Sequence, residues 1–172
     1  MTGPGRAPVA AFGVVVLGVL AAACSNGTSV TTPFATTAPV LRNGPVYEVT
    51  TGRVSGLGTV LVDGTGITLY QYATDVRGRP SRCHDLCAVQ WPPVVLPPGV
   101  AAPVAGPGAD PALLGTSPRA DGSTQVTYDG WPLYRWPPDR APGMATGQAL
   151  TNAGGLWYVL SPAGHPIVTA AA

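Results

Sequence analysis

The chain predicts a small all-β domain, sandwich-like or barrel-like, built from two pseudo-symmetric β-hairpin repeats. Three observations carry that expectation. First, 23 glycines and 20 prolines make up a quarter of the 172 residues. Both types break helices, glycine through backbone freedom and proline through its missing N–H. Second, short apolar–polar alternations bounded by turn residues recur along the chain, which is the pattern of half-buried strands. Third, one such stretch occurs twice. Thr68-Leu69-Tyr70-Gln71-Tyr72-Ala73-Thr74-Asp75 aligns with Pro132-Leu133-Tyr134-Arg135-Trp136-Pro137-Pro138-Asp139, 64 positions later, and both read Leu-Tyr-x-aromatic-x-x-Asp.

The N-terminal segments precede that domain. Arg6 is the one charge before an uncharged, apolar run from Ala7 to Ala23, the layout of a secretory signal over residues 1–23. The run falls short of the roughly 20 apolar residues that a membrane span requires. It ends in Leu20-Ala21-Ala22-Ala23-Cys24. Small residues before a cysteine suit a signal peptidase, and the cysteine thiol can accept a diacylglycerol. This stretch resembles the lipobox of bacterial lipoproteins, with Ala21 where leucine is usual. The resemblance makes Cys24 the lipidated residue of an acylated lipoprotein, anchored at the extracytoplasmic face of the cell membrane. An ordinary secretory signal cleaved near Ala23 is the alternative. Residues 24–45 are rich in Thr and Pro and read as a flexible to semi-extended tether.

The first repeat unit is expected over 46–93. Val46–Thr50 alternates, Thr59–Asp63 is a strand stopped by Gly64 and Gly66, and Ile67–Tyr72 returns as a hairpin. Residues 94–121 are rich in Pro, Ala and Gly and read as a connection, with a short helical turn at Pro111–Leu114. The second unit and a C-terminal tail fill 122–172. Thr124–Tyr128 and Trp131–Trp136 form the matching hairpin around Asp129-Gly130, a strong two-residue turn signal. Pro132 requires an edge position or a strand start. Gly155–Leu160 is a further strand.

Charge narrows the choice of partners. Charged residues are 10% of the chain, against a usual value of about 25%. All nine basic residues are arginine and the net charge is +1. No basic stripe is present to hold nucleic acid, and no polybasic patch to hold anionic lipid. The expected membrane partner is therefore reached through the lipid on Cys24, with an envelope protein or glycan as the possible further partner.

Each candidate site has competing readings. Asp75 and Asp139 could form a carboxylate pair for cation binding or acid–base chemistry. Repetition in both units favours turn caps that accept backbone N–H bonds after each strand. Tyr70, Tyr72, Tyr134 and Trp136 could line an aromatic site. Tyr70 and Tyr72, two apart, share one face of a strand with Leu69 on the other, which favours packing. With Cys24 lipidated, Cys83 and Cys87 remain as a pair in an arginine-rich stretch (Arg77, Arg79, Arg82), and an exported location permits a disulfide. The alternative is a copper or redox site formed by the two thiolates and His84. The spacing does not fit attached haem or zinc ribbons. Nucleophile elbows, zincin helices, phosphate loops and EF-hand loops are absent from the sequence. His165 reads as an exposed turn residue.

Taken together, these residues resemble the bacterial secreted-repeat lipoproteins with a Tyr-x-[Phe/Trp/Tyr]-x-x-Asp motif. The motif is Tyr70, Tyr72 and Asp75 in the first unit, and Tyr134, Trp136 and Asp139 in the second. Cys83 and Cys87 followed by Trp91-Pro92-Pro93 match the family's segment after the first copy. Trp157-Tyr158, Pro162 and Gly164 match the end of its second. The resemblance implies a small exported β domain; it does not imply an activity. The expectation is therefore an envelope lipoprotein with a structural or binding role, without catalytic residues, cofactor or metal. A copper-handling or electron-transfer lipoprotein is the rival, and an enzyme using Asp75 and Asp139 comes third.

Overall fold

The computed structural model describes residues 42–169. The signal segment, Cys24 and most of the tether lie outside the described residues. Within them the chain is almost entirely β, arranged in three small open sheets rather than a closed barrel.

Strands β1 (Glu48–Val54) and β2 (Gly58–Asp63) form an antiparallel pair, with β4 (Val104–Ala105) parallel to β1 on its other edge. In the second unit, β5 (Leu114–Pro118) pairs antiparallel with β6 (Thr124–Tyr128), and β7 (Trp131–Pro132) forms the opposite edge. Strand β5 and the 3₁₀ turn Pro111–Leu113 before it lie inside the segment read from sequence as a connection. Asp129 (φ 50°) and Gly130 (φ 75°) are both left-handed at the β6–β7 turn, as a two-residue hairpin loop requires. Pro132 sits on the edge strand, where its missing N–H disrupts no ladder.

The return strands depart from the simple hairpins expected. In the first unit the hairpin is reduced to a single bridge, Val62↔Thr68, after which β3 (Leu69–Tyr72) enters a different sheet. In the second unit the break comes at Leu133, and β8 (Tyr134–Arg135) enters that same sheet. The shared sheet has the order β8-β3-β10-β9, where β9 is Leu150–Asn152 and β10 is Gly155–Val159. A strand of the first unit is thus flanked on both sides by strands of the second. Tyr70 is paired with Tyr134, its own repeat counterpart, so a local pseudo-twofold axis passes between them.

Strand alternation sorts side chains into two cores. Val60, Val62, Tyr70, Tyr72, Tyr134, Trp157 and Val159 face one, and Leu61, Leu69, Leu133 and Leu160 face the other. Period-two alternation along β2, β3 and β10 places neighbours on opposite sides of the sheet. The one described α-helix, α1 (Leu86–Gln90), is a single turn with no buried residue.

Candidate functional site: two crossed tyrosine–aspartate clasps

The repeated motif assembles around the pseudo-twofold axis. β3 aims Tyr70 and Tyr72 into one core; the chain then turns, with the Asp75 N–H donating to the Tyr72 carbonyl at 2.9 Å. The second unit repeats this, with Asp139 N–H donating to the Trp136 carbonyl at 3.0 Å. Each aspartate then points back into the protein, 5% exposed for Asp75 and 3% for Asp139.

The aspartates do not act as local turn caps. Each closes its following loop at the seventh residue. Asp75 Oδ1 accepts from the Arg82 N–H at 2.7 Å. Asp139 Oδ1 accepts from the Thr146 N–H at 2.8 Å and from its hydroxyl at 2.6 Å. The remaining oxygen of each reaches the other repeat. Tyr70 O–H donates to Asp139 Oδ2 at 2.5 Å, and Tyr134 O–H donates to Asp75 Oδ2 at 2.6 Å. The tyrosine of one copy is clasped by the aspartate of the other, in both directions. Both oxygens of both carboxylates are therefore occupied by protein donors.

Burial, reinforced by the adjacent carboxylate, pushes the Tyr70 and Tyr134 phenols far above their ordinary range. Burial also raises Asp75, against the pull of Tyr134, the Arg82 N–H and the charges of Arg119 and Arg82. Each phenol oxygen has a second neighbour: Ser81 Oγ at 2.6 Å from Tyr134, and the Gly147 N–H donating to Tyr70 at 3.2 Å.

The aromatic members cross the same axis. Tyr72 stacks on Trp157 (ring centroids 4.3 Å), Trp157 on Trp91 (3.9 Å) and Trp91 on Trp136 (4.2 Å). Tyr70 meets Trp91 edge-on at 5.3 Å and Tyr134 meets Trp157 edge-on at 5.1 Å. The two edge-on contacts suit the aromatic quadrupole. Asn152 accepts both inner indole N–H groups, through its side-chain oxygen from Trp91 and its carbonyl from Trp157. Gly147 lies under this stack: a Cβ there would stand 2.6 Å from the Trp91 ring. Neither Asn152 nor Gly147 carries a repeated sequence signal, and sequence reasoning passed over both. Thr146 is traceable only as the position 64 after Arg82.

Cys83 and Cys87 are joined in a disulfide with Cα atoms 5.2 Å apart. Cys83 is buried, and its N–H donates to Ser81 Oγ, the group beside Tyr134. His84, between the cysteines, is exposed, with Nδ1 2.8 Å from the equally exposed Asp85 carboxylate. Among the described residues no group of three or more His, Cys, Asp or Glu side chains is placed to hold a metal ion. A further tie between the units is the buried Asp63 Oδ2, 3.1 Å from Arg135 Nε. His165 is exposed in the turn after β10.

The family described as a secreted repeat of unknown function matches the chain twice, over residues 53–95 and 115–161. No curated protein and no solved structure matches it.

Proposed function

From a chain that belongs to the family of secreted repeats of unknown function, we propose an exported lipoprotein, held at the cell membrane by a lipid on Cys24, whose domain serves the envelope in a structural or binding role without catalysis. The observation that carries this reading is the pairing of Cys83 with Cys87. Of the three cysteines it leaves Cys24, at the end of a lipobox-like segment. A disulfide also suits an exported, oxidising setting. The non-catalytic part rests on the clasps: the two repeated carboxylates are buried and spent on tyrosines and loop N–H groups, so neither is open to a substrate. The absence of a polybasic segment leaves the lipid as the attachment, with the residues after Cys24 as its spacer.

Replacing Cys24 by Ala is expected to move the protein from the membrane fraction to the soluble fraction. A variant that stays membrane-bound overturns the lipid reading. The exposed His84 between the two cysteines supports a competing reading, copper or redox handling after reduction of the disulfide. Stoichiometric metal in protein purified from the native envelope, with free thiols at Cys83 and Cys87, would replace the structural reading with that one.

A further inference from the structure

Helix α1 is held less by packing than by a covalent bond. It is one turn long, far below the length at which a helix stands alone in water, and none of its residues is buried. The Cys83–Cys87 disulfide fixes it, and the Trp91 N–H closes it by donating to the Cys87 carbonyl at 2.8 Å. Its entry is strained: Asp85, at φ 53° and ψ −127°, occupies backbone space that residues with a Cβ rarely adopt. The turn so fixed projects Leu86 and Val89, which are three residues apart and therefore neighbours on one side. They are 77% and 71% exposed, the most exposed large apolar side chains among the described residues. Single exposed apolar residues are ordinary on a protein surface. Two held side by side on a covalently fixed turn mark a contact surface.

We propose that this knob rests on the lipid bilayer, with Leu86 and Val89 entering the boundary between headgroups and acyl chains, and so sets which face of the tethered domain looks at the membrane. The inference rests on the lipid at Cys24. Cys24 stands 18 residues before Arg42. At about 3.6 Å per fully extended residue, the covalent chain keeps Arg42 within roughly 65 Å of the lipid. An apolar surface held that near a bilayer meets it at high effective concentration, so a contact too weak to anchor a free protein is enough to orient a tethered one. Local charge favours the same occupant. Arg77, Arg79 and Arg82 precede the turn and are exposed. Arg77 is paired with Asp129, while Arg79 and Arg82 have no ion pair among the described residues. The exposed carboxylate of the segment, Asp85, lies against His84, and Asp75 is buried in its clasp. Guanidinium groups without a counter-charge beside exposed aliphatic side chains match phosphate headgroups above acyl chains. They fall short of the about four to eight basic residues that hold an anionic surface by charge, which keeps the lipid as the anchor and the knob as the orienting contact.

The test uses the lipidated protein purified from the membrane fraction and reconstituted in vesicles of phosphatidylglycerol and phosphatidylcholine, the latter brominated on its acyl chains near the headgroup. Leu86→Trp, at an exposed site, should lose roughly half of its added emission on these vesicles, since interfacial side chains sit about 5–10 Å into the headgroup–acyl boundary. Val104→Trp, exposed on the edge strand of the β2-β1-β4 sheet, should keep its emission. In Leu86→Ser/Val89→Ser the anchored domain should lose its restricted rotation, read as a drop in residual tryptophan anisotropy. Leu86→Trp emission left unchanged by the brominated chains, equal quenching of Val104→Trp, or anisotropy indifferent to Leu86→Ser/Val89→Ser would each overturn the orienting contact and leave the anchor intact. Cross-links between copies through the turn would give the surface to a second copy and overturn it too. Mass spectrometry that finds Cys24 without acyl groups would overturn the anchor reading, and this inference with it.

Discussion

Asp139 and Asp75 hold equivalent places in the two repeats, but their loops are secured by different means. Loop 139–146 carries no disulfide: Thr146 gives its aspartate two hydrogen bonds, Ala145 packs against the core, and Gly147 then passes close beneath Trp91. Loop 75–82 gives its aspartate only the Arg82 N–H, but it contains Ser81, which accepts from the Cys83 N–H, and it continues into the Cys83–Cys87 disulfide, where the buried guanidinium of Arg119 donates to the Cys83 carbonyl at 2.8 Å. The bond to tyrosine is the same in both. The difference shows which part of the motif is constrained: the aspartate must reach the opposite tyrosine and one N–H seven residues on, and the loop between is free to find its own support.

The largest disturbance should come from the element both halves share. Trp157→Ala removes the ring that touches Tyr72, Trp91 and Tyr134, and should cost about 3–5 kcal/mol in urea unfolding. A cost under about 1 kcal/mol would mean that the halves do not depend on the stack.

Alkaline pH separates the halves one tyrosine at a time. The folded Tyr70 and Tyr134 phenols titrate above the unfolded value of about 10. Their contribution is therefore complete below about pH 10 and is lost as pH rises beyond it, at up to about 1.4 kcal/mol per pH unit per tyrosine. Tyr70→Phe and Tyr134→Phe should each lower stability near neutral pH by about 1.5–3 kcal/mol, the value of a hydrogen bond to a charged group. Each should also remove its share of the alkaline slope, measured by urea unfolding between about pH 9 and about pH 11. An unchanged slope in both variants contradicts the assignment.

The smallest effect belongs to the feature found in one loop only. Reducing the Cys83–Cys87 disulfide should cost less than about 2 kcal/mol, because the bridged loop is so short. Amide exchange should rise around 81–90 and stay unchanged around 139–147. Global unfolding on reduction would show that the first clasp depends on its covalent support.

Much of this was legible in sequence, within a clear limit. The alternation Leu69/Tyr70/Gln71/Tyr72 revealed which side chains share a face, because strand geometry alone dictates that. Asp129-Gly130 announced its turn, because only certain residues accept left-handed backbone. The repeat at Tyr70 and Tyr134 announced two related units. What alternation does not encode is which strand lies alongside. The transfer of β3 into a sheet with β8 and β10 was invisible, and with it the partner of each aspartate. Repetition in both units favoured Asx-type caps for Asp75 and Asp139; the actual donors to their carboxylates are a loop N–H seven residues on and a tyrosine 59 or 69 positions away in sequence.

The claim that the repeats are locked by crossed bonds is tested most directly by double-mutant cycles on stability. Tyr70→Phe combined with Asp139→Asn, and Tyr134→Phe combined with Asp75→Asn, should each show a coupling of about 1–3 kcal/mol. The pairs within one motif, Tyr70 with Asp75 and Tyr134 with Asp139, should add to within about 0.5 kcal/mol. Coupling within each motif and additivity across the repeats would contradict the crossed arrangement.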